Sequence, residues 1–133
     1  MKKKVLIVDD EPDVLMVMSA IVKVIGYDVL TASNALEGIS ICRKEKPELV
    51  LMDVHMPGMD GLEACRIIRA DEDLKATIVV FVTASTSEIE KKKKEAGAQD
   101  YVIKPFQTKV LSTVVRRALG DEKIEDDLNE HGK

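Results

Sequence analysis

This 133-residue sequence predicts an α/β protein: a five-stranded parallel sheet with helices on both faces. Three observations lead there. Short hydrophobic runs recur at residues 5–8, 27–30, 49–52, 78–82 and 101–103. A segment with helical spacing of apolar residues follows each run, so the order is βα five times over. Each run also ends in a polar residue, and four of those ends carry chemistry: Asp9-Asp10, Asp53, Thr83 and Lys104. In a parallel sheet all such ends lie along one edge, where ligands of open α/β folds bind. Right-handed crossovers limit how the units wind.

The helices follow in order. Val14, Met18, Ile21, Val22 and Ile25 recur at helical spacing after the first run. Pro12 suits the first turn of that helix, and Gly26 is a natural stop. Asn34 with Glu37 predicts a capping box opening the second helix, Asp60 with Glu63 the third, and Ser87 with Glu90 the fourth. The fourth, over residues 87–96, has few apolar residues (Ile89 and Ala96) and contains the run Lys91-Lys92-Lys93-Lys94. The fifth spans about residues 107–119. Val110, Leu111, Val114, Val115 and Ala118 form its apolar set, and Gly120 lies just past its end.

Composition sets the class. With 45% hydrophobic and 33% charged residues, the chain is expected to be a soluble globular domain over residues 1–120. Residues 121–133 are charge-rich and read as a tail, a frayed helix or the start of a linker. A net charge of −4 provides no basic excess for a nucleic-acid backbone, so no direct nucleic-acid contact is expected. No apolar stretch approaches the roughly 20 residues that span a bilayer, so no membrane partner is expected. The basic start at residues 1–4 precedes a run too short for a signal-peptide core. Cys42 and Cys65 lie on separate helical segments with no CxxC spacing, which predicts reduced core thiols in a cytoplasmic protein.

Asp9, Asp10 and Asp53 offer three carboxylates and no soft ligand, a donor set suited to Mg2+. First and third strands are neighbours in a doubly wound sheet, so Asp53 is expected beside the acidic pair. Three like charges repel unless something positive intervenes. Lys104 and a divalent cation bring such a site close to neutral, able to accept a phosphoryl group. Singly, each residue has a plainer reading. Asp at a strand end caps helices, Thr83 fills a strand, Tyr101 likewise, and Lys104 before Pro105 is surface punctuation.

The run Asp53-Val54-His55-Met56-Pro57-Gly58-Met59-Asp60-Gly61 resembles the Asp-x-x-Met-Pro-x-x-Asp-Gly pattern of response-regulator receiver domains, the phospho-accepting modules of two-component signalling. Asp9-Asp10-Glu11, Thr83-Ala84 and Lys104-Pro105-Phe106 are similar to that family too, and the likeness covers residues 3–119. The resemblance implies a flavodoxin-like sheet of order 2-1-3-4-5 and a switch that takes a phosphoryl group from a histidine kinase or phosphotransfer protein. It is a signalling switch rather than an enzyme with an external substrate. By that resemblance Asp53 is the phosphoacceptor, Asp10 a direct Mg2+ ligand, Asp9 a water-mediated one, and the His55 backbone carbonyl a further ligand. Lys104 pairs with Asp53 and then with the phosphoryl group, which Thr83 and the Ala84 backbone N–H also contact. Thr83 and Tyr101 form the switch. The side chains of His55 and Ser85 occupy the family's variable positions near the phosphoryl group, where they could tune dephosphorylation; His55 could donate to the phosphoryl group, obstruct attacking water or point outward. The Lys104-Pro105 bond is expected to be cis. The face of the fourth helix, fifth strand and fifth helix would meet an unknown downstream protein, the lysine run being either a partner contact or a solvated face.

Four other readings fit less well. An aspartyl-phosphate hydrolase of haloacid dehalogenase type has Asp-x-Asp at its nucleophile, where this chain has Asp53-Val54-His55, and there is no room for a cap domain. An FMN binder would place a phosphate against Asp9-Asp10-Glu11. A dinucleotide enzyme would need GxGxxG. A degenerate receiver acting only as an interaction module would not retain every site residue.

Overall fold

The computed structural model describes residues 2–121; the sequence reading of 122–133 as tail or linker lies outside the described residues. Five strands, β1 (Lys4–Val8), β2 (Asp28–Ala32), β3 (Leu49–Met52), β4 (Ile78–Thr83) and β5 (Asp100–Ile103), alternate with five helices. These are α1 (Pro12–Val24), α2 (Ala35–Glu45), α3 (Gly61–Ala70), α4 (Ile89–Ala96) and α5 (Thr108–Ala118), with a 3-10 turn at Glu72–Leu74. All pairings are parallel and the order is β2-β1-β3-β4-β5, as expected. Val8, Met52 and Phe81 lie in register across β1, β3 and β4, which brings their chain ends to one level.

Side-chain alternation in the central strands divides the core in two. Val5, Ile7, Leu49, Leu51, Val80 and Val82 face α1 and α5, packing with Met18, Val22, Leu111 and Val115. Leu6, Val8, Val50, Met52, Val79 and Phe81 face α2, α3 and α4. Both faces being covered explains why these strands are continuous apolar runs rather than half-polar ones. Cys42 and Cys65 are free and lie in the second cluster, where burial pushes both thiols up to about 11.

Four expectations need correction. The second strand starts at Asp28, not Tyr27, because the Tyr27 N–H is spent closing α1: it donates to Val22 O while Gly26 donates to Lys23 O, a Schellman cap. Val110 is 45% exposed and does not belong to the buried stripe of α5. The fourth helix begins at Ile89, and Ser87 does not cap it. Its N-cap is Glu88, in the left-handed region at φ 54°, with no side-chain cap bond. Glu90 turns instead toward Lys93 and Tyr101. The reciprocal half of the α2 box is also displaced: Asn34 accepts from the Glu37 N–H, but the Glu37 carboxylate accepts from the Ser33 N–H.

The opposite end of α4 is anchored. Gly97 closes it at φ 86°, and the stem of Arg69 packs so near that a Cβ on Gly97 would lie 2.6 Å from Arg69 Cγ. Arg69 itself donates to the carbonyls of Lys75 and Thr77.

Caps formed and unformed give a paired test. Asn34→Ala should cost about 1 kcal/mol by removing a real N-cap, whereas Ser87→Ala should leave the denaturant midpoint unchanged.

Candidate functional site

The ends of β1, β3, β4 and β5 converge as the sequence implied. Asp9 follows β1 with its side chain fully buried, and Asp53 follows β3 at 6% exposure; Asp10 is exposed beside them. Carboxylate oxygens of Asp9, Asp10 and Asp53 all lie within 4.8 Å of one another. Three backbone bonds prolong the sheet past its strands to hold this geometry: Asp9 N–H donates to Ala32 O at 3.1 Å, Asp53 N–H to Val8 O at 3.0 Å, and Lys104 N–H to Thr83 O at 2.9 Å.

Lys104 Nζ donates to Asp9 Oδ2 at 2.7 Å and to Asp53 Oδ2 at 3.3 Å, with Glu11 Oε1 at 4.0 Å. The expected Lys104–Asp53 pair is present, but Asp9 is the nearer partner. Asp9 Oδ1 meanwhile accepts the Glu11 N–H at 2.9 Å, so both of its oxygens are engaged. The Lys104-Pro105 bond is cis.

The electrostatics follow from this sharing. Burial is the main force raising Asp53 above the ordinary carboxylate range, and the neighbouring Asp9 charge adds to it. Lys104 and the His55 N–H oppose the rise without cancelling it. For Lys104, burial is the largest single influence and favours the neutral amine. Its bonds and charge interactions with Asp9 and Asp53 together outweigh burial, and its affinity for a proton is raised. The two results are consistent: the ammonium has two carboxylates to itself, while each carboxylate has only a share of one ammonium.

Thr83 is buried at the end of β4, and its Oγ1 accepts the Ser85 N–H at 3.2 Å. Ala84 is exposed next to it. His55 is exposed on the loop after Asp53. Tyr101 sits on β5, half-buried on the α4 side, with Lys93 Nζ 5.8 Å from its ring centroid. An apolar groove of about 400 Å³ flanks the site between α1 and the loop after β5, lined by Val14, Val17, Lys104, Pro105 and Phe106 among others.

The Asp60-Gly61 step, read from sequence as loop and helix start, has a further role at the site. Asp60 caps α3 by accepting the Glu63 N–H at 2.9 Å. Gly61 donates to Val54 O at 2.8 Å and lies so close to β3 that any Cβ would overlap the Asp53 carbonyl oxygen. The Gly was visible in the motif; the contact it permits was not.

Three carboxylates and one ammonium thus meet at the carboxyl edge of a doubly wound sheet, the arrangement expected of a signalling receiver domain. Residues 5–116 match the family model of the response regulator receiver domain. The chain belongs to that family: it is a receiver domain of a two-component system. It is 40% identical over 119 residues to the "Probable transcriptional regulator ycf27" of Porphyra purpurea, covering 89% of this chain and 48% of that one. It therefore spans about half the length of that curated relative. The chemotaxis protein CheY4 of Vibrio cholerae superposes with a TM-score of 0.84 at 30% identity, over 89% of this chain and 99% of that one. The receiver domain of sensor histidine kinase PA1611 from Pseudomonas aeruginosa PAO1, with a magnesium ion coordinated in its active site cleft, superposes with a TM-score of 0.83 at 27% identity, over 90% and 99%. Among the described residues no helix is long and apolar enough to cross a membrane.

A carboxyl group whose proton affinity is raised by folding penalises the folded state once it ionises. The penalty is absent below the unfolded-state value, grows as pH rises toward the folded-state value, and is fully present above it. Asp53→Asn should therefore raise the metal-free melting temperature by a few degrees at pH 7. The gain should shrink as pH falls into the carboxylate range, a trend that melting curves across pH would check.

Proposed function

We propose that Asp53 accepts a phosphoryl group from a phosphohistidine with Mg2+ as cofactor, and that this chain relays a signal in the cytoplasm. The observation that carries the reading is the Lys104 ammonium bonded to both Asp9 and Asp53, beside a third carboxylate. An Asp53 oxygen attacks phosphorus, the new O–P bond forms as the N–P bond breaks, and the departing imidazole nitrogen leaves with the phosphohistidine donor. Charge in the loose transition state is spread over the peripheral phosphoryl oxygens. Lys104, already aimed at Asp53, needs only to exchange one oxygen partner for another to meet it.

The donor set fits a hard cation: oxygen only, three carboxylates, no thiol or imidazole among them. Asp10 and Asp53 would bind directly, with the His55 carbonyl. Asp9, both of whose oxygens are occupied, would act through water. The cation would supply neutralisation of the incoming phosphoryl charge. The magnesium in the PA1611 receiver domain supports the choice. Thr83 would exchange its bond from Ser85 for a stronger, charge-assisted one to the phosphoryl group, with the Ala84 N–H beside it. Tyr101 would turn inward, and the α4-β5-α5 face would present the changed surface to a downstream protein. His55 and Ser85 would modulate the lifetime of the acyl phosphate.

Intact-mass measurement after treatment with a small phosphodonor and Mg2+ should show one added phosphoryl group. Asp53→Asn should show none, and Thr83→Ala should still be labelled. Labelling that survives in Asp53→Asn would sink the assignment.

Mg2+ alone should raise the melting temperature by binding the folded state. Asp10→Asn should abolish most of that rise while raising the metal-free value, since it removes one of the crowded charges. An unaltered protein that melts identically with and without saturating Mg2+ would speak against the metal site.

A further inference from the structure

The contact between α4 and β5 carries an inference of its own, which rests on the phosphoacceptor reading of Asp53. Glu90 lies on the first turn of α4 and Lys93 one turn later, their side chains 3.4 Å apart. The Lys93 ammonium stands over the Tyr101 ring at 5.8 Å from its centroid. Lys93 is the one member of the lysine run whose ion pair and ring contact are both defined, and its side chain is only 19% exposed. Lys93 thus bridges the Glu90 carboxylate and the Tyr101 ring. Attraction between that carboxylate and the phenol O–H is the main influence pulling the Glu90 carboxyl down and pushing the Tyr101 phenol up. Three side chains close a ring of attractions: ammonium to carboxylate, carboxylate to phenol, phenol face to ammonium.

The start of α4 needs such a device. Glu88 holds a left-handed conformation that costs a residue with a Cβ energy, and no side chain caps the helix. The helix buries only Ile89 and Ala96 against the core. Elements with so little burial shift at low cost. We propose that Glu90 is the latch of the switch: with Lys93 it holds the Tyr101 ring against α4 in the unphosphorylated protein, and its release is what phosphorylation must overcome. The latch sets how much phosphoryl occupancy the surface requires before it changes, because a ligand must bind the released state that much better to populate it. Lys93 contributes by orienting the carboxylate and by its attraction for the ring face. Lys91, exposed on the same helix, does not take part, and Lys94 adds only its charge near Glu90.

The test uses the full chain labelled with 3-fluorotyrosine, which reports Tyr27 and Tyr101, with Tyr101→Phe assigning the signals. At rest, with no phosphoryl mimic, Glu90→Ala should move the Tyr101 resonance and Lys91→Ala should not. A resting signal unmoved by Glu90→Ala overturns the latch, whatever happens at Asp53. Beryllium fluoride with Mg2+ then replaces phosphate. Glu90→Ala should convert the hydrogen exchange of α4 at a beryllium fluoride concentration about threefold to tenfold below that of the unaltered protein, the net worth of one ordinary hydrogen bond. In the Tyr101→Phe background the same substitution should produce no further lowering, because the hydroxyl is already gone. An undiminished lowering there would mean that Glu90 acts through helix stability instead, and overturns the latch. Failure of the unaltered protein to respond to beryllium fluoride would overturn the phosphoacceptor reading, while the resting comparison would still decide the latch.

Discussion

One ammonium answering to two buried carboxylates is the interaction on which this molecule turns. Lys104 lies within bonding distance of Asp9 and Asp53, which come from separate strands. Without it, two carboxylates would face each other in a site that admits little water. With it, the cluster of Asp9, Asp10, Asp53 and Lys104 still carries a surplus of negative charge. That imbalance leaves a donor set that could hold a cation, and under the proposed function the cation would in turn make room for a phosphoryl group. The sheet exists, in this sense, to hold the unfavourable charges together: the core residues of β1, β3 and β4 fix the register, and the register fixes the carboxylates.

Fold and site were legible from sequence to different depths for a physical reason. The central strands are buried on both faces, so they are nearly uninterrupted apolar runs, and their ends coincide with the first polar residue, Asp9, Asp53 or Thr83. Strand order followed from the likeness of motif and was borne out. What sequence pattern missed lay where local chemistry competes. Tyr27 looks like a strand residue, yet its N–H is claimed by the C-terminus of α1. Ser87 and Glu90 have capping-box spacing, but Glu90 has better partners in Lys93 and Tyr101. Those partners include a residue eleven positions away on a strand, which no local pattern reveals. The same holds for Asp9 as the nearer partner of Lys104, a contact between opposite ends of the chain.

The two faces of the sheet are furnished differently. The α1/α5 side is filled chiefly by large aliphatic residues, while the other includes Cys42, Cys65, Met52, Met56 and several alanines. Small and sulfur-containing side chains pack with less shape specificity than branched ones. The side that carries α4 is thus the side better able to repack around a displaced element, and Tyr101 and Ile89 belong to it.

The unequal ends of α4 have a mechanical consequence. At its C-terminus the helix is riveted: Gly97 admits the Arg69 stem, and Arg69 is tied to two carbonyls of the loop before β4. At its N-terminus it hangs from Glu88 in an unfavourable conformation. A rod fixed at one end and loosely tethered at the other pivots rather than slides. Displacement is then greatest at the Glu88 end, which is joined directly to the Thr83–Ser85 loop, and smallest near Gly97. Under the proposed function, chemistry at the strand edge would pull on the long arm of a lever whose fulcrum is built into the opposite end.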